Sequence, residues 1–95
     1  RFNSVVQPTP YAEIAPYVFP EMADMAVEEA AIAFAEGMAD LSAQCGLEQR
    51  LRDVGIGADD LPMLARDAMN QTRLLVNNPR DVTYDDALAI YQAAW

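Results

Sequence analysis

Apolar side chains recur at spacings of three and four between positions 21 and 45: Val27, Ala30, Ala31, Phe34, Met38, Leu41 and Cys45. They form one face of a 3.6-residue repeat, and Glu28, Glu29, Glu36 and Asp40 fall largely off it. The stretch holds no Pro and one interior Gly, at 37, so the pattern predicts a long amphipathic helix from Glu21 to Cys45. Its many Ala side chains allow close approach of a neighbouring helix. Gly46 is placed to cap the helix, because a left-handed backbone costs glycine nothing.

The flanks read differently. Four of the six prolines (Pro8, Pro10, Pro16 and Pro20) lie in the first twenty residues, which rules out one long helix there. Thr9 before Pro10 resembles an N-cap with Pro at the first helical position, predicting a short helix to about Tyr17 that Pro20 closes. Leu47 to Val54 reads as a helical turn broken by Gly55 and Gly57. A further helix is expected from Asp59 or Asp60 to about Gln71, with Pro62 in its first turn and Leu61, Leu64, Ala65, Ala68 and Met69 inward. Leu74, Leu75 and Val76, followed by Asn77-Asn78-Pro79, read as a short extended piece or a packed loop. Thr83 with Asp86 is a shortened capping box, opening a last helix completed by Ala87, Leu88, Ile90, Tyr91, Ala94 and Trp95. No period-2 run is long enough for a strand. The fold class expected is all-α, a small helical bundle. Residues 1–20 would be a Pro-rich lead-in with one short helix, and residues 21–95 a helical segment.

Composition narrows the chemistry. Ninety-five residues make one domain at most, and 17 of the 50 apolar residues are Ala, leaving 33 larger side chains. Fifteen acidic and six basic residues give a net charge of -9, which repels phosphate and makes nucleic acid and anionic membranes poor partners. No apolar run approaches the roughly 18 residues of a membrane span. The first residue is Arg1 rather than Met, and no basic-then-apolar leader follows it. The expectation is a piece of a longer, cytoplasmic protein. There is no His, which removes the usual general base and the commonest transition-metal ligand. A single Cys makes neither a disulfide within the chain nor a Cys-rich zinc site.

The remaining candidates favour structure over chemistry. Asp59 with Asp60, and Asp85 with Asp86, could be paired carboxylates, but both pairs sit where helices start and read as caps. Glu28 and Glu29 point about 100° apart on a helix and cannot converge. Cys45 lies on the apolar stripe with no His to activate it, so a buried structural Cys is expected. Arg50, Arg52 and Arg73 could form an anion site, or pair with carboxylates. Val54–Gly57 has two glycines but no preceding strand, so it is no phosphate loop. Neither Ser4 nor Ser42 lies in the Asp-Ser-Leu context of an acyl carrier domain. No residue is assigned a catalytic, cofactor-binding or metal-binding role.

An ordered set of short elements nevertheless resembles the carboxyl end of iron-containing alcohol dehydrogenases, the family of lactaldehyde reductase and maleylacetate reductase. They are Leu51-Arg52-Asp53-Val54-Gly55, Asp60-Leu61-Pro62, Asn78-Pro79-Arg80, Thr83, and Asp86-Ala87 with Ile90-Tyr91. The opening Arg1-Phe2-Asn3, then Tyr11-Ala12 with Ile14-Ala15, is similar to the stretch that follows the family's metal-binding helices. The resemblance implies a two-domain parent. An α/β domain binds NAD(P), and a helical domain holds Fe²⁺, sometimes Zn²⁺, through one Asp and three His that precede the Arg-Phe-Asn element. On that reading this chain carries no metal ligand and binds no cofactor itself. It buttresses the metal and substrate site, and its partner is the missing amino-terminal part. Alone it is inactive, and it either self-associates through Val27–Leu41 and Leu74–Val76 or is only marginally stable. The resemblance also implies that the segment before Asn78-Pro79-Arg80 passes near the substrate cleft, where a Cys is common and this chain has Leu74. Leu74 would then line the cleft; the alternative is that Leu74–Val76 packs under neighbouring helices. The rival to the whole reading is a stand-alone acidic helical module that binds another protein.

Overall fold

The structure, a computed structural model, describes all 95 residues. It contains five α-helices and no strand: α1 (Thr9–Val18), α2 (Val27–Gln44), α3 (Leu61–Met69), α4 (Thr72–Leu75) and α5 (Tyr84–Ala94). The all-α class is therefore as the hydrophobic pattern predicts. Packing divides the chain into two compact units, Arg1–Leu47 and Glu48–Trp95.

In the first unit α1 packs against α2. The fully buried positions of the pair are Ala15, Ala30 and Ala31, small side chains that let two helix backbones come close. α1 starts at Thr9, and its N-cap is Pro8 rather than Thr9, with no side-chain cap. The ring of Pro8 already holds a helical φ of -71°, and its carbonyl accepts from the N–H groups of Tyr11 and Ala12, so the helix begins one residue earlier than expected. Pro16 has no N–H to give the helix, which ends two residues on.

α2 begins at Val27, six residues later than the pattern predicts. Pro20 to Met22 form a 3-10 turn, held by i→i+3 bonds such as Ala23 N–H to the Pro20 carbonyl. That turn buries Met22, and Ala26 then runs extended, at ψ 152°, into α2. Reversing the chain to seat α1 on α2 overrides the local helix propensity of residues 21–26. Phe19 closes the other side of the seam. Its ring lies edge-on to Phe34, centroids 6.1 Å apart, and directly over Gly37. The C-terminus of α2 is as expected. Gly46 adopts φ +75°, its N–H bonds to Ala43, and the Leu47 N–H reaches the Ser42 carbonyl, a Schellman closure.

In the second unit α3 packs against α5. Leu61, Ala65 and Ala87 are buried, and Leu64, Ala68 and Met69 are partly buried, so the inward stripe of α3 is as the sequence indicates. On α5 Ala87 faces inward and Ile90 is exposed. The predicted turn at 47–54 is a 3-10 helix over Leu51–Val54, closed by Gly55 at φ +87°. Leu74 to Val76 is neither extended nor a loop: Thr72–Leu75 forms one α-helical turn, because the Gln71 carbonyl accepts from Leu74 and Leu75 and the Thr72 carbonyl from Val76.

Candidate functional site

Most of the family-like elements lie in the second unit, and several of them do a local structural job. At the entry to α5 the Thr83 hydroxyl accepts from the Asp86 N–H at 3.2 Å, while an Asp86 carboxylate oxygen accepts from the Thr83 N–H at 2.9 Å. The Thr83 hydroxyl also donates to that oxygen at 2.8 Å. An Asp thus completes a capping box usually made by Glu or Gln; a carboxylate one methylene shorter suffices. These bonds, the backbone one first, hold the Asp86 carboxyl below the ordinary carboxylate range, and Arg80 at 4.0 Å adds a smaller effect. Asn78 spans Pro79 by donating from Nδ2 to the Arg80 carbonyl at 2.6 Å. Asn78-Pro79-Arg80 and Thr83 therefore form one brace between α4 and α5.

A second brace closes the other end of α5. The Trp95 indole N–H donates to the Ile56 carbonyl at 3.0 Å, and the Arg52 guanidinium lies 5.6 Å from the indole centroid. Arg52 is thus engaged by an aromatic face. Neither the indole bond nor the stacking was visible as a pattern, since 39 residues separate Trp95 from Ile56. Asp60 accepts from the Gly57 N–H at 2.9 Å, which makes it a cap before α3. Asp59, Asp85, Glu28 and Glu29 face solvent.

One expectation about a candidate residue needs correction. Cys45 is exposed, not buried, because the α2 stripe runs past the part of the helix that α1 covers; Met38 and Leu41 on the same stripe are exposed too. Within this chain the Leu74–Val76 segment is largely uncovered. Leu74 is 59% exposed and Val76 79%, with only Leu75 partly covered. The helical turn of α4 points Leu74 and Val76 outward.

The donor set does not fit a catalytic metal. The chain has no His, and no three His, Cys, Asp or Glu side chains converge where they could hold an ion. No helix is long and apolar enough to cross a membrane. What the geometry defines is an all-α scaffold, braced at both ends of its last helix, with apolar side chains left uncovered.

The sequence has relatives among known proteins. The Fe-containing alcohol dehydrogenase family, C-terminal part, matches residues 1–95, and the chain belongs to this family. It is 33% identical over all 95 residues to lactaldehyde reductase of Escherichia coli K12, of which it spans 25%. It is 28% identical to 1,3-propanediol dehydrogenase of Citrobacter freundii and 27% identical to that of Klebsiella pneumoniae, spanning 24% of each. The chain therefore spans about a quarter of the length of the curated relatives it matches. No solved structure gives a significant match.

Proposed function

We propose that this chain is the carboxyl-terminal helical part of an iron-dependent alcohol dehydrogenase whose parent performs NAD(P)-linked oxidation of an alcohol or reduction of an aldehyde or ketone. The observation that carries the reading is a family match along the whole chain combined with a donor set that lacks any metal site. The metal ligands and the nucleotide site then belong to the remainder of the enzyme, and this part buttresses them. Its partner is that remainder; a net charge of -9 speaks against nucleic acid and anionic membranes. Left alone, the chain is inactive and self-associates through uncovered residues such as Met38, Leu41, Leu74 and Val76.

Leu74 is assigned to the substrate cleft. An outward branched side chain on α4, next to the Asn78-Pro79-Arg80 brace, suits a wall against the alcohol's own side chain. The test is a joined protein in which the last quarter of E. coli lactaldehyde reductase is replaced by this chain. It should reduce lactaldehyde, and the 95 residues alone should not. In the joined protein Leu74→Ala should shift preference towards longer substrates by about 10–200-fold in relative kcat/KM, the effect of one or two methylenes. Activity of the isolated chain would defeat the proposal. Unchanged chain-length preference would remove Leu74 from the cleft.

A further inference from the structure

α1 is apolar on two sides. Ala15 is buried towards α2, yet Ile14, Tyr17 and Val18, spaced by three and four, share an adjacent flank and are exposed, Tyr17 by 90%. A solvated helix face carries charges. The sole charged side chain of α1 is Glu13. We propose that this outward face of α1 is a docking surface, occupied by the polypeptide that makes up the other three-quarters of an intact dehydrogenase; the inference rests on the reading just given.

Two observations choose that occupant. The match is to the carboxyl-terminal part of the family, and the relatives are about four times as long as this chain, so each relative has ample polypeptide preceding the matched quarter. Charge disfavours a lipid surface. Residues 1–47 carry seven carboxylates against the single Arg1, so an anionic membrane brings like charge to this face. An internal interface needs only an apolar surface in return.

Hydrogen–deuterium exchange tests this on the isolated chain and on the joined lactaldehyde reductase protein. Backbone amides of Ile14–Val18 should exchange at least about tenfold more slowly in the joined protein. Ile14→Lys should lower the Tm of the joined protein and leave that of the isolated chain unchanged. If the joined protein unfolds cooperatively and is active, yet exchange at 14–18 is unaltered and Ile14→Lys is silent, the docking surface is refuted and the parent reading stands. A joined protein that fails to fold cooperatively overturns the parent reading itself. Slow exchange at 14–18 already present in a sedimenting dimer of the isolated chain would assign the face to a second copy instead.

Discussion

Gly37 lies directly beneath the Phe19 ring, and replacing it with Ala should destabilise the chain although it removes a helix-breaking residue. A Cβ at position 37 would stand 2.8 Å from Phe19 Cζ and 2.9 Å from Cε2. Carbon atoms pack at about 3.5–4.0 Å, so the ring has to retreat by about 0.7–1 Å. It cannot retreat freely, because Phe34 holds it edge-on. Overpacking of this kind costs about 1–3 kcal/mol, against about 0.8–1 kcal/mol returned by Ala over Gly in a helix interior. The steric cost wins, and Gly37→Ala should lose about 1 kcal/mol. The sign should invert in a Phe19→Ala background, where the clash is gone and only the propensity gain of about 1 kcal/mol remains. Urea unfolding followed by far-UV circular dichroism on the four proteins of this cycle measures both numbers. A stabilising Gly37→Ala in the presence of Phe19, or the same sign in both backgrounds, would refute the reasoning.

Three further outcomes follow from single contacts. Thr83→Ala should cost about 0.5–2 kcal/mol as the cap of α5 is lost. Because the folded Asp86 carboxyl titrates below its unfolded value, the stability it contributes is complete above about pH 4 and is lost as pH falls through the folded value, so an acid titration of Thr83→Ala should show less decline in that window. Trp95→Phe keeps a ring for Arg52 but removes the donor to Ile56, and should cost about 0.5–1.5 kcal/mol in urea unfolding. Cys45 should react with a thiol reagent at nearly the same rate in native and denatured chain, whereas strong native protection would contradict its exposure.

The sequence disclosed what depends on local periodicity and capping. The inward stripe of α3, the Gly46 closure and the Thr83–Asp86 box follow from spacing, because each rests on bonds or contacts within a turn or two. What it concealed depends on partners far along the chain. The start of α2 was missed because burying Met22 reverses the chain at Pro20, an effect no local propensity contains. The stripe of α2 suggested burial of Cys45, but periodicity gives the direction of a side chain and not the length of the neighbour that covers it. For the same reason the spacing of Ile14, Tyr17 and Val18 does not say which flank of α1 the packing against α2 leaves exposed. The candidate site was legible only through the family-like elements. Their roles in the structure are the braces around α5, which no motif states.

The central claim is that this chain works as one part of a longer dehydrogenase, and the intact mass of the natural product in its source cells tests it most directly. Capture with an antibody raised against residues of α5, followed by mass spectrometry, should return a polypeptide close to four times the chain's 10.5 kDa, matching the length of its relatives. A native product of 10.5 kDa with no larger species would contradict the account and leave a stand-alone acidic helical module in its place.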